Sequence, residues 1–190
     1  MPRAIIISAP SGAGKTTLVK NILKHFRNIE FSVSTTTRQQ RHYEVEGKDY
    51  YFETVEEFKK DIDNNAFIEW EEVYPNHFYG TKKIEIDRIW NKNNSVVFDV
   101  DVIGGLNLKR YFNNNGISIF IKPPSIESLR ERLLSRDTET EANIEMRLEK
   151  AVEELEYENK YDTVILNEDL EKSKIEIREI VDNFLSLKAR

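Results

Sequence analysis

The sequence predicts an α/β fold: a three-layer core with a parallel sheet, an inserted mixed α/β subdomain and a helical lid. Three observations predict it. At both ends of the chain short apolar, β-branched runs alternate with helical patterns, the rhythm of a parallel sheet covered on both faces. The segment 34–93 breaks that rhythm with short strands, hairpin turns and mixed polarity. The segment 125–158 reads as helix, polar turn and helix, densely charged. At 190 residues this is one domain spanning 3–185. Its core is drawn from 1–33, 94–124 and 159–190.

Ala4-Ile5-Ile6-Ile7 reads as a buried strand, and Thr17 to Leu23 carry apolar residues at helical spacing. Between them lies Ala9-Pro10-Ser11-Gly12-Ala13-Gly14-Lys15-Thr16, a glycine-rich turn opening a helix. Such a P-loop cradles anions, because backbone N–H groups converge in the turn and the helix dipole adds partial positive charge. Lys15 then reaches a β- or γ-phosphate, and the Thr16 hydroxyl holds Mg²⁺ directly. Ala9 stands where the full pattern has glycine. Alanine serves there if its φ is negative, since only a positive φ makes glycine close to obligatory.

Glu30 to Thr35 alternates as a strand and leads into the basic stretch Thr36 to Arg41. Gly47 to Phe52 is a turn into another strand, and Thr54 with Glu57 forms a capping box before Phe58 and Ile62. Phe67 to Val73 is a strand of period two, turned by Tyr74-Pro75-Asn76 into Phe78-Tyr79-Gly80-Thr81. A helix from Lys82 faces Ile86, Ile89 and Trp90 inward. Ser95 to Asp101 is a buried strand ending in two carboxylates, and Gly104-Gly105 opens the next helix. Ile117 to Ile121 is a strand stopped by Pro123-Pro124. A helix from Ile126 to Leu134, a polar turn at 136–141 and a long helix to about Tyr157 form the lid. Thr163 to Asn167 is the last strand, and an amphipathic helix from Leu170 closes the chain.

Composition narrows the function. Net charge is −6 and no Lys/Arg block occurs, so a nucleic-acid partner is not expected. No stretch approaches the length of a membrane span, and no signal-peptide h-region follows Met1. There is no cysteine, hence no disulfide and no thiolate chemistry. His25, His42 and His77 are too scattered for a zinc pattern. A cytoplasmic setting is the expectation; the oligomeric state is not readable.

Four groups of residues are candidates for chemistry. Arg38 and Arg41, with Tyr50 downstream, are either a solvated loop or a bidentate phosphate clamp. Glu69 shares a strand face with Glu71 and Val73. It either faces solvent or accepts two parallel N–H bonds of the kind guanine offers at N1 and N2, with Ser34 and Thr81 hydroxyls near O6. Asp99 and Asp101 end a core strand, where open α/β sheets bind ligands. They read as capping carboxylates, or as a water-mediated Mg²⁺ partner (Asp99) and a contact to a base or ribose (Asp101). Arg132, Arg136 and Arg147 either pair with Glu127, Glu131, Glu139 and Glu141 or close over a transferring phosphoryl group.

In order along the chain stand S-A-P-S-G-A-G-K-T-T, F-S-V-S-T-T-T-R-x-x-R, E-G-K-D-Y-Y-F, F-I-E-W, F-Y-G-T, F-D-V-D, R-L-L-S-R-D-T-E-T-E and V-I-L-N-E-D-L. This ordered set resembles guanylate kinase over nearly the whole chain, from about Ala4 to Phe184. The resemblance implies transfer of the ATP γ-phosphoryl group to GMP, and to dGMP, in purine nucleotide recycling, with Mg²⁺. It implies that 34–93 binds the nucleoside monophosphate and 125–158 is the lid. Ser34, Glu69, Thr81 and Asp101 would read guanine, while Arg38, Arg41, Tyr50 and Tyr79 would hold its phosphate. Ala9 to Thr16 would hold ATP phosphates, Asn167 would lie near adenine, and Lys15, Arg132, Arg136 and Arg147 would act on the transferred group. Thr81 stands where many members carry serine, and the loop Gln39 to Glu44 lacks the proline and glycine often found there. Two other readings remain: a non-catalytic binding module of the same fold, and a P-loop kinase acting on a phosphorylated ribose compound.

Overall fold

The computed structural model describes residues 2–134 and 141–187. The chain runs β1 (Ala4–Ser8), α1 (Lys15–His25), β2 (Ile29–Phe31), β3 (Thr35–Thr36) and β4 (Tyr51–Phe52). It continues through α2 (Val55–Asp63), β5 (Phe67–Tyr74), β6 (His77–Lys82), α3 (Lys83–Trp90), β7 (Ser95–Val100) and α4 (Val102–Phe112). The last elements are β8 (Gly116–Lys122), α5 (Ile126–Leu134), α6 (Glu141–Leu155), β9 (Thr163–Leu166) and α7 (Leu170–Ser186).

Five strands form one parallel sheet in the order β2-β7-β1-β8-β9. Strand alternation divides the apolar residues between its faces. Ile5 and Ile7 of β1 pack with α1, α5, α6 and α7 through Leu18, Ile22, Leu129, Leu148 and Ile177. Ala4 and Ile6 pack with α3 and α4 through Ile86, Ile89, Leu108 and Phe112. The central strand is therefore buried at every position and apolar from Ala4 to Ile7, as a sheet buried on both faces requires. Buried Arg3 closes the C-terminal end: its guanidinium donates to the Phe184 and Leu187 carbonyls at the end of α7 and lies over the Phe184 ring. Among the described residues no helix is long and apolar enough to cross a membrane.

A second sheet, ordered β4-β3-β6-β5, stands on the carboxyl side of the first. Its hairpin β5–β6 turns at Asn76, whose φ of 62° is the left-handed conformation asparagine tolerates. Phe58 of α2 stacks on Phe67 and fills this sheet's own small core with Phe78. The capping box of Thr54 and Glu57 is formed.

Three local expectations are corrected. The strand expected over Glu30 to Thr35 is split: β2 pairs with β7 in the parallel sheet, while β3 pairs with β4 and β6 in the second. Ser32 to Ser34 carry the chain across, with the Val33 N–H donating to buried Glu85 at 2.9 Å. Glu85 also takes two bonds from Arg88, which reaches Glu30, so the two points where the chain changes sheets are tied together. The helix expected to open at Gly104 begins earlier, because the Asp101 side chain caps it by accepting from Gly104 N at 2.8 Å. The long lid helix stops at Leu155, and a 3₁₀ turn at Glu158–Lys160 follows. The polar turn expected at 136–141 falls, but for its last residue, outside the described residues.

Candidate active site

The carboxyl ends of β1 and β7 face the second sheet across a cavity of about 410 Å³. The phosphate loop forms one wall. Gly12 and Gly14 have φ of 89° and 97°, the left-handed region in which a side chain is strained. Ala9 is not among the positive-φ residues, so its methyl is tolerated; it is buried against the core. Lys15 Nζ donates to the Val100 carbonyl at 2.6 Å and pairs with Asp99 at 2.7 Å. Thr16 Oγ1 donates to the other Asp99 oxygen at 3.0 Å. Burial pulls the Lys15 pKa down, but the Asp99 carboxylate outweighs it and the net shift is upward, so the ammonium keeps its charge.

Behind the loop, Asn167 Nδ2 donates to the Ala13 carbonyl at 2.7 Å, and Arg132 bonds the Asn167 carbonyl at 3.2 Å. The amide oxygen Oδ1 of Asn167 is buried with no hydrogen-bond partner within the protein. Arg147 of α6 donates to Ser11 Oγ at 3.1 Å, so the lid touches the loop.

The opposite wall is acidic and aromatic. Glu69 of β5 is 8% exposed, and Thr81 Oγ1 donates to its Oε1 at 2.8 Å. Burial pushes its pKa up to about 7, the Thr81 bond opposes this, and the Asp101 charge adds to it. Glu71 lies on the same strand face; burial and then the charge and hydrogen bond of Asp101 push its pKa up as well. Glu154 of α6 is held at about 7 by burial, against the pull of Lys150 3.9 Å away. Lys150 also lies 5.8 Å from the Tyr74 ring centroid, so the lid meets the β5–β6 hairpin at the cavity mouth. The Tyr50 and Tyr79 rings meet edge to face at 6.0 Å.

The structure brings Ser34, Tyr50, Glu69, Tyr79, Asp99, Asp101 and Arg147 onto one cavity with Ala9 to Gly12 and Gly14 to Thr16. Ala13, Thr81, Arg132 and Asn167 stand off its lining, bonded to residues that form it or to the loop. Arg38 is also off the lining. It makes a two-bond pair with Glu44 at 2.7 and 2.5 Å and lies 4.9 Å over the Tyr50 ring. Arg41 is exposed, with its guanidinium on the Tyr43 hydroxyl at 3.0 Å and its backbone N–H on Glu44. Arg136 lies outside the described residues. Groups passed over in the sequence reading are Glu44, Lys150 and Glu154. Glu154 is seven residues after Arg147, the spacing that places two side chains on one helix face; no local signal marks Glu44.

The site therefore has a cationic, backbone-built anion cradle facing buried carboxylates, of which Glu69 is bonded by Thr81 and Glu71 keeps one oxygen without a hydrogen-bond partner. Among the described residues no group of three or more His, Asp or Glu is arranged to hold a metal unaided. Thr16 and Asp99 offer two hard oxygens, a donor set that suits Mg²⁺ completed by phosphate and water oxygens.

Comparison with known proteins fits this geometry. The family model for guanylate kinase matches residues 1–184. The guanylate kinase of Bacteroides thetaiotaomicron is 45% identical over 184 residues, which is 97% of this chain and 90% of its own. That of Thermotoga maritima is 45% identical over 166 residues, 87% of this chain and 79% of its own. The crystal structure of the guanylate kinase from Anaplasma phagocytophilum superposes with a TM-score of 0.77 at 33% identity, covering 98% of this chain and 88% of that one. The family model and these relatives match along nearly the whole chain, and the chain belongs to the guanylate kinase family.

Proposed function

We propose that the protein transfers the γ-phosphoryl group of ATP to GMP and dGMP, giving ADP and the diphosphate, and that the two walls of the cavity hold the two nucleotides. The observation that carries this is Glu69, a buried carboxylate facing the cavity across from the phosphate loop. Guanine supplies two adjacent N–H donors to that carboxylate; adenine lacks them and leaves it buried with only its Thr81 bond. Asp101, Ser34 and Thr81 complete the base contacts. Arg38, Arg41, Tyr50 and Tyr79 hold the acceptor phosphate, which competes with Glu44 for Arg38. No general base is needed, because the attacking phosphate oxygen is already anionic.

On the donor wall the loop N–H groups hold the ATP phosphates, and the unpartnered Oδ1 of Asn167 accepts from the adenine amino group. Lys15 is held by Val100 and Asp99 where charge develops on the γ-phosphoryl group. Arg132, Arg136 and Arg147 neutralise the same charge as the lid closes, and phosphoryl transfer depends mostly on such positioning and neutralisation. Thr16 directly, and Asp99 through water, would hold Mg²⁺, which would offset the charge of the donor phosphates. Residues 34–93 act as the acceptor subdomain and 125–158 as the lid. A nucleotide-recycling role places the protein in the cytoplasm.

The test is ADP production from ATP and Mg²⁺ with GMP, dGMP, AMP, UMP or ribose 5-phosphate as acceptor. Turnover is expected with the two guanine nucleotides. No turnover with any acceptor sinks the reaction, and turnover with AMP or the sugar but not GMP sinks the base reading. Glu69→Gln is expected to lower kcat/KM for GMP by about 10²-fold or more while ATP binding survives.

A further inference from the structure

Asp101 and Glu69 meet at the first turn of α4, and that turn is held from behind. Asp101 Oδ1 caps it through Gly104 N at 2.8 Å. A Cβ on Gly104 would lie 3.0 Å from Glu69 Oε2, so the turn's backbone forms a wall against that carboxylate as well. On the far side two hydroxyls grip the same turn. Ser8 Oγ donates to the Asp101 carbonyl at 3.0 Å, and the Tyr161 hydroxyl donates to the Val102 carbonyl at 2.7 Å.

The fit leaves no room for change. A Cβ on Gly105 would lie 2.6 Å from the Tyr161 hydroxyl and closer still to Ser8 Oγ. Only a glycine lets both hydroxyls reach the helix. Tyr161 is 8% exposed, edge to face with Phe120, and packed with Val102 and Leu106. Burial raises its pKa, so it stays a neutral donor. The next residue, Asp162, accepts from Ser118 N and Oγ at 2.8 and 2.9 Å and pairs with Lys109 of α4 at 2.8 Å. The segment 161–162 therefore grips α4 at both ends of the helix.

We infer that Tyr161, assisted by Ser8, is a positioning residue for guanine recognition: by fixing the first turn of α4 it sets where Asp101 and Glu69 stand relative to the base. The inference rests on the base-reading role proposed above. A carboxylate pair that reads adjacent N–H donors works only within about half an ångström of its best geometry. The turn's carbonyls and N–H groups are the nearest rigid frame that can impose that tolerance. Tyr161 is not one of the residues that line the cavity, and its hydrogen bond reaches the base through α4.

The experiment compares wild type, Tyr161→Phe and Ser8→Ala with GMP and with IMP, which keeps the 6-oxo group and N1–H but lacks the 2-amino donor. Tyr161→Phe keeps the ring and removes one hydrogen bond. It is expected to raise KM for GMP by about three- to tenfold, the worth of one hydrogen bond. The GMP-over-IMP ratio of kcat/KM should fall by a similar factor, with KM for ATP within twofold. Ser8→Ala should move the same ratio in the same direction. A lower Tm with an unchanged GMP-over-IMP ratio overturns the inference and leaves Tyr161 as core packing. An equal rise in both KM values overturns it too, as general damage. A wild type that does not prefer GMP to IMP defeats the base-reading proposal itself, a separate outcome.

Discussion

Around the phosphate loop the charges are paired and the shape is set by main chain. Lys15 sits between Asp99 and a carbonyl, and Gly12 and Gly14 take conformations that few other residues reach. Across the same cavity Glu69 and Glu154 stand in surroundings that hold their protons up to about 7. One wall resembles a finished socket and the other an unmet demand. The contrast follows from what each wall binds. A triphosphate is recognised by charge and size, which backbone N–H groups and one ammonium supply to any nucleotide. A particular base is recognised by its donors and acceptors. A buried carboxylate without its partner is costly, and that cost becomes selectivity when the right base arrives.

The sharpest way to break this comparison is to remove the charge from the finished wall. Lys15→Met is expected to lower kcat by about 10³-fold or more, the scale of one cation withdrawn from a transferring phosphoryl group. GMP affinity, measured by calorimetry on the same variant, should stay within a few-fold. If GMP binding falls as far as kcat, the walls are one unit and the division is wrong.

A smaller effect should appear on the acidic wall as pH changes. The Glu69 pKa stands at about 7 against a usual 4.5. Between those values the folded chain binds more protons than the unfolded one, so the ligand-free protein loses stability as pH rises, by about 3 kcal/mol for this buried group. Guanine needs the ionised form, so GMP binding recovers part of that loss and strengthens as pH rises. The expectation is that kcat/KM for GMP climbs about tenfold from pH 6 to pH 8. The acceptor's own phosphate titrates near pH 6, and Thr81→Val separates the two. Losing the Thr81 bond removes what favours the ionised carboxylate, so the midpoint moves to higher pH, whereas the nucleotide's contribution stays put. A profile identical in both proteins removes Glu69 as its source.

The same contrast explains what was legible in the sequence. The loop is one contiguous stretch whose backbone does the work, so Gly12, Gly14, Lys15 and Thr16 could be read by spacing alone. The five-strand sheet was legible because runs such as Ile5-Ile6-Ile7 are apolar at every position. Strand alternation placed Glu69, Glu71 and Val73 on one face. Legibility failed where side chains meet from distant elements. Nothing local brings Lys150 over Tyr74 or sets Tyr161 against the turn that follows Asp101. It failed as well at Ser32 to Ser34, where a continuous alternating pattern crosses from one sheet to another because buried Glu85 captures the Val33 N–H.

Ala9 offers the smallest effect and the cleanest test of where the loop's shape resides. The motif's first glycine is absent, yet the loop is formed, because the left-handed conformations fall at Gly12 and Gly14. Ala9 sits with its methyl in the core cluster beneath the sheet. Restoring the motif as Ala9→Gly therefore removes a buried methyl and loosens the unfolded chain, each worth about 0.5–1 kcal/mol. The fall in stability should come to about 1–2 kcal/mol, read as a Tm lower by a few degrees. Activity should be untouched, with kcat and both KM values within twofold, since no cradle N–H changes direction. A tenfold change in KM for ATP alone would mean that Ala9 shapes the donor wall directly. The socket would then be finished by a side chain, as the acceptor wall is, and not by main chain alone.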